Sequence, residues 1–148
     1  MNEKVTVTRT AEGSRTQEAS KPIDRSDAGD LSKFPIRTVP NEARCFFTTE
    51  THELSLSPCC PVSHNPRPGS ILTITYDPVD KILEVASLRK YVDSYCGGRG
   101  AVRSMEGMIQ EIAQSCANCS GVCIIVFADL VIDPDQKMKL KCVAFPDE

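Results

Sequence analysis

The chain has 148 residues, 41% of them hydrophobic and 25% charged, and a net charge of −3 at neutral pH. That is enough for one globular core and a tail, and too little for two sizeable cores. The slight acidity argues against a broad basic face for nucleic acid, and no apolar run approaches the roughly 20 residues of a membrane-spanning helix.

In chain order, residues 1–40 are predicted to be a disordered tail and residues 41–148 a single domain. Residues 1–33 mix Thr, Ser, Glu, Asp, Lys and Arg with few large apolar side chains, so burial there does not offset the entropy of ordering. Residues 44–50 (R-C-F-F-T-T-E) and 53–57 (E-L-S-L-S) are short β-type runs, and the second alternates Leu54 and Leu56 with Ser55 and Ser57. They predict a hairpin or one bent strand.

Residues 57–69 follow as S-P-C-C-P-V-S-H-N-P-R-P-G. Proline fixes φ and glycine relieves it, so this composition predicts a loop of defined shape rather than a frayed connection. It carries Cys59, Cys60, His64 and Arg67.

Leu72, Ile74 and Tyr76 alternate with Thr73 and Thr75, which predicts a half-buried strand over 71–76. Asp77, Pro78 and Asp80 mark a turn, after which 82–85 resumes extended structure. Leu88, Tyr91, Val92 and Tyr95 stand at i, i+3, i+4 and i+7, the pattern of an amphipathic helix whose polar face holds Arg89, Lys90 and Asp93. Gly97, Gly98 and Gly100 end it. A second helix is predicted over 102–116, stopped by Gly121, with a β-branched strand over 122–131. A last strand covers 138–144, joined through Asp133-Pro134-Asp135.

The resulting order is ββααββ, an α+β plan with an antiparallel sheet and two helices on one face. A sheet of this size has open edges, so the expected state is a homo-oligomer joined edge to edge, with sites at subunit borders.

The chain has eight cysteines. Its N-terminus lacks the apolar stretch of a secretion signal, so reduced thiols and a cytoplasmic location are expected. Cys116, Cys119 and Cys123 have a spacing that suits a metal, with Cys96 or Cys60 as a fourth ligand. Cys116 and Cys123 also lie on the apolar periodicities of a helix and a strand, and that core reading is preferred, with no metal expected.

The segments C-P-V-S-H-N-P-R-P-G-S and L-E-V-A-S-L-R-K-Y-V-D-S-Y, with the strand between them, resemble the tunnelling-fold nitrile reductases. These NADPH-dependent enzymes reduce 7-cyano-7-deazaguanine to its aminomethyl form in queuosine biosynthesis, a tRNA-modification pathway. The likeness covers residues 45–145, and GTP cyclohydrolase I is a more distant resemblance.

The resemblance implies that Cys60 attacks the nitrile carbon to form a covalent thioimide, which is sound chemistry for a soft thiolate of lowered pKa. It places Glu84, Ser87, Arg89 and Lys90 at the NADPH site, where basic groups would pair with phosphates. Glu106 would grip the N–H edge of the ring.

Three positions depart from the family pattern. Ala86 stands where a lysine is expected, and Met105 replaces the histidine before the ring-binding glutamate. Arg67 stands in place of the acid, which leaves it to contact substrate while His64 donates the proton. The implied partner is a small 7-deazapurine, with nucleic acid entering only if the ring is already part of it. The alternatives are a cofactor-independent amidinotransferase acting on the same nitrile, or a non-catalytic deazapurine binder.

Overall fold

The computed structural model describes residues 4–10, 34–42 and 45–148. Four antiparallel strands form its frame: β3 (Phe47–Ser55), β4 (Arg67–Tyr76), β6 (Ile124–Asp133) and β7 (Gln136–Ala144), adjacent in that order. The two apolar runs around Thr48 and Leu54 are one continuous strand rather than a hairpin.

Register follows from alternation. Leu54 sits opposite Leu72, Leu72 opposite Ala128 and Ile74 opposite Val126, so one face of the sheet is apolar across three strands. A slip by one residue would turn that whole set to solvent. The other face carries Thr73, Thr75, Phe127 and Lys139, and Ile71 and Phe127 remain exposed on it.

Two helices cover the apolar face. α1 (Val85–Asp93) contributes Leu88 and Val92, and α2 (Met105–Ser120) contributes Met108, Ile109 and Ile112 to one continuous core with Leu72, Ile74 and Val126. The predicted α+β plan with two helices on an antiparallel sheet is thus observed.

Helix boundaries are set by local chemistry. α1 begins three residues before the predicted Leu88 because the Glu84 carboxylate accepts from the backbone N–H groups of Ala86 and Ser87. α2 begins after Ser104, whose hydroxyl accepts from the Gly107 N–H at 3.0 Å. It ends at Gly121, where φ is 75°, a left-handed conformation that suits glycine.

Two strands lie beyond the predicted plan, and the extended stretch predicted over 82–85 is a short strand at Lys81–Leu83. β1 (Lys4–Thr10) pairs parallel with β3, from Lys4 opposite Phe47 to Thr10 opposite Glu53, which corrects the expectation of a wholly disordered tail for that stretch. Its sequence K-V-T-V-T-R-T is β-branched, and an open sheet edge supplies the backbone partners that a short polar segment lacks alone. β2 (Thr38–Pro40) pairs with β5 (Lys81–Leu83) as a separate small ladder. β2 also falls within the expected tail, and residues 1–3 and 11–33 of that tail lie outside the described residues.

No helix among the described residues is long and apolar enough to cross a membrane.

Candidate functional site

The loop between β3 and β4 is closed on itself. The backbone N–H groups of Cys59 and Cys60 both donate to the Asn65 carbonyl, at 2.8 and 3.0 Å, and the His64 N–H donates back to the Cys60 carbonyl at 2.9 Å. Prolines on both sides leave few other donors to satisfy, so residues 59–65 form a compact turn held by their own backbone.

That turn is anchored to the helical layer. The Gly97 N–H donates to the Pro58 carbonyl at 3.0 Å, and the buried Cys59 thiol lies 3.8 Å from the Ser104 carbonyl at the start of α2. Gly98 is required between them: its φ is 99°, and a Cβ there would meet the Val102 carbonyl at 3.2 Å.

The two neighbouring thiols are driven in opposite directions. Burial, with the charges of Cys60 and Cys96 adding to it, pushes the Cys59 thiol up to about 11. Cys60 is held below the ordinary thiol range, mainly by hydrogen bonds from the Ser63 side chain and backbone and from the Val62 backbone, with a further contribution from the Arg103 charge. The Ser63 N–H points at Cys60 Sγ from 3.4 Å. A thiolate stabilised by local N–H groups on an accessible loop is the arrangement of a nucleophile.

His64 and Arg67, expected to donate the proton and to contact substrate, are both exposed. His64 adopts φ 59° and touches Cys60 through its backbone. Arg67 opens β4, paired with Val131. Glu106 is exposed in the first turn of α2, whose start adjoins the loop through Cys59 and Ser104. The structure therefore gathers Cys60, His64 and Arg67 on one turn, with the first residues of α2 beside it.

Two residues were missed in the sequence: Ser63 and Arg103. A signal for Ser63 was present, because Cys60-Pro61-Val62-Ser63 has proline at the second position of a turn, which brings the fourth residue's N–H back toward the first. Arg103 had no local signal, since a folded glycine loop brings it to Cys60.

The residues assigned to a cofactor behave differently. Glu84 Oε1 and Oε2 accept from Ala86 and Ser87 N–H at 2.9 and 2.7 Å, and these bonds hold its carboxyl below the usual range. Ser87 is buried, accepting from the Arg37 N–H at 2.9 Å and donating to the Glu84 carbonyl at 3.1 Å. Arg89 donates to the Ser55 carbonyl at 2.8 Å and pairs with Asp93 one turn on. Lys90 is exposed. As a phosphate-binding set for NADPH this does not fit: the acid is a helix cap, the serine is inside, and the arginine already holds two oxygens.

Loss of the Glu84 cap is expected to lower stability by about 1 kcal/mol, the usual cost of removing such an acceptor. Because folding depresses this carboxyl's pKa, its contribution is present above the unfolded value, about 4.3, and disappears as pH falls through the folded one. Urea denaturation of wild type and Glu84→Ala should therefore differ at pH 7 and converge at acid pH. Equal stability at pH 7 would remove the cap from the account.

A cavity of about 340 Å³ lies between α1, α2 and the segment before β2, lined by Pro35, Ile36, Tyr91, Arg99, Glu111, Ser115 and Cys119. The Arg99 guanidinium lies over Tyr91 and Tyr95, 4.8 and 5.6 Å from their ring centres, and donates to Ser94. Tyr95 donates to Glu111, and the Tyr91 hydroxyl lies 2.8 Å from that of Tyr95 and 2.7 Å from Ser115. Burial raises the pKa of both phenols, so they act as neutral donors. Glu111 acts in turn on the Cys59 thiol.

The cysteines considered as metal ligands have different surroundings. Cys116 is completely buried in the core, its thiol pushed up by burial, and Cys119 Sγ lies 3.8 Å from the Ile36 carbonyl. Among the described residues no group of three metal-type ligands converges.

Comparison with known proteins gives no matching family model and no matching curated relative.

Proposed function

We propose that this chain is a thiol enzyme of the tunnelling-fold type that forms a covalent thioimide between Cys60 and the nitrile of a 7-cyano-7-deazaguanine-type ring. The observation that carries this reading is the Cys60 turn, with its lowered thiol pKa and the Ser63 N–H directed at Sγ. The thiolate sulfur bonds to the nitrile carbon, one C–N π pair moves to nitrogen, and nitrogen takes a proton. In this reading His64 gives that proton, Glu106 accepts from the N–H edge of the ring, and Arg67 flanks the substrate. Assembly into an edge-to-edge homo-oligomer, a cytoplasmic location and a place in deazaguanine modification belong to the same reading.

The next step separates two reactions. In the leading one, a nicotinamide cofactor would supply two hydrides, the first releasing the Cys60 thiolate to leave an imine and the second, with a proton, giving the aminomethyl product. Of the four residues assigned to that cofactor, only Lys90 is left without a structural task, so cofactor binding in this reading draws on Lys90 and on surfaces other than the Glu84 to Arg89 block. The engagement of Glu84, Ser87 and Arg89 within the chain favours a second reaction, in which an amine attacks the thioimide carbon and releases the Cys60 thiol, leaving an amidine.

Intact-mass spectrometry after addition of 7-cyano-7-deazaguanine tests the shared step. The expected result is an added mass equal to the whole nitrile, present in wild type and absent in Cys60→Ala. Oxidation of added NADPH then marks the reductase, and amidine formation from added ammonia marks the transferase. Absence of the adduct from folded wild type would overturn both in favour of a binding protein.

A further inference from the structure

We propose that Arg103 sets the substrate class of the Cys60 site, selecting a phosphate-bearing form of the nitrile nucleobase over the free base. This rests on the reading of Cys60 as the nucleophile.

The placement of Arg103 is tertiary. Residues 97–102 fold into a tight glycine loop in which Arg99 and Val102 exchange backbone hydrogen bonds, both 2.9 Å long. Gly98 sits at the contact: a Cβ there would lie 3.4 Å from Arg103 Cγ and 4.0 Å from the Cys59 carbonyl. The Arg103 stem therefore runs beside the peptide that leads into Cys60. Its head is exposed, and it is close enough for its charge to act on the Cys60 thiol. Arg67, also exposed, opens the strand that leaves the same loop. Arg103 is thus the cation whose charge acts on the nucleophile, with Glu106 three residues beyond it in the chain.

A guanidinium is always charged, and its planar fork matches the oxygens of a phosphate. A neutral base offers it hydrogen-bond acceptors and a ring face but no opposite charge. A phosphate attached to the base gains an ion pair at the site where its nitrile must meet Cys60, which aligns the carbon for attack. A free nucleotide and a nucleotide within a polynucleotide offer the same group.

Two alkylating reagents of similar size isolate the charge. Iodoacetate is an anion and iodoacetamide is neutral, and both consume the thiolate, so the ratio of their rates cancels any change in thiol pKa. With the Arg103 charge acting on the thiolate, Cys60 is expected to favour iodoacetate a few-fold more than a small free thiol does. Arg103→Gln should return that ratio to the free-thiol value, and Arg103→Lys should keep it. Because Arg103 is exposed, these variants are expected to fold.

Protection of Cys60 from iodoacetamide then names the source. Guanosine monophosphate protecting better than guanosine supports the nucleotide, and a short oligonucleotide protecting where the monophosphate does not supports the polynucleotide. A rate ratio unchanged by Arg103→Gln, or protection by guanosine equal to that by both phosphate-bearing probes, overturns the assignment of Arg103. Failure of Cys60 to react faster than the buried thiols would instead overturn the nucleophile reading on which it rests.

Discussion

At neutral pH, iodoacetamide is expected to label Cys60 at least about a hundredfold faster than Cys59 or Cys116. Reaction requires the thiolate, and at pH 7 an ordinary thiol near 8.5 is a few per cent ionised, whereas one near 11 is ionised about once in ten thousand. Cys60 lies below the ordinary range, and Cys59 is raised to about 11. Cys116 is raised as well and has no exposed surface. The Cys60 rate should reach half its limit at a pH below that of a free cysteine. Ser63→Ala, which removes the largest cause of the shift, should move that midpoint upward while leaving Cys59 and Cys116 slow. Peptide mapping of labelled protein across pH checks this. Comparable labelling of Cys59 and Cys60, or a midpoint indifferent to Ser63, would contradict the contrast between the two thiols.

Truncation of Leu72 to alanine is expected to remove about 2–5 kcal/mol of stability, the range for deleting a buried leucine side chain. Leu72 is fully buried on β4, with Leu54 and Ala128 across its two strand pairs. Since domains of this size are stable by only about 5–15 kcal/mol, the variant should lie near its unfolding threshold at moderate urea. The midpoint should fall with an unchanged slope, because the loss comes from packing rather than from exposed area. Both proteins are compared at one concentration, since any self-association would add a concentration-dependent term. A loss under 1 kcal/mol would mean that the side chain is not packed between sheet and helices. The outward neighbour Thr73 provides the contrast: its alanine variant should change stability much less.

The functional consequence joins these two results. The sheet and α2 form the rigid body, and the Cys60 turn is fixed to it at Pro58, at Cys59 and through the Leu56 N–H to the Ser70 carbonyl at 3.0 Å. The proposed reaction requires Cys60 to be held near one position, and the turn's own hydrogen bonds supply that restraint.

Particular elements show how much could be read from the residues. Strands β4 and β7 were legible because Leu72, Ile74 and Tyr76, and likewise Met138, Leu140, Cys142 and Ala144, repeat at the two-residue period of a sheet, and β6 because it is rich in β-branched residues. Both helices were legible at their cores, Leu88 to Asp93 and Met105 to Cys116, and misplaced at their ends. Glu at an N-cap is uncommon, so nothing marked Glu84 as the cap. The β1 strand was missed because its V-T-V-T alternation lies in a polar context, and its partner β3 is about 40 residues away.

The candidate site divides in the same manner. Cys60 was legible because proline on one side and a turn on the other constrain where a thiol can go. Cys59 beside it is fully buried. Glu84, Ser87 and Arg89 are a different case. Their types and spacing suit a phosphate site, but each finds an acceptor or donor within the chain, and a linear pattern holds no information about such competition.

The amino-acid sequence by itself determined the α+β class, the apolar face of each strand and helix, and the turn that presents Cys60, because all of these depend on periodicity and on backbone limits acting over a few residues. Only the tertiary structure decided which groups surround that thiol. Arg103 reaches it across a glycine loop, Cys59 is buried against α2, and Arg89 is drawn to Ser55 and Asp93. The physical reason is that charge and hydrogen-bond partners act through space, over distances set by the packing of the whole sheet and both helices.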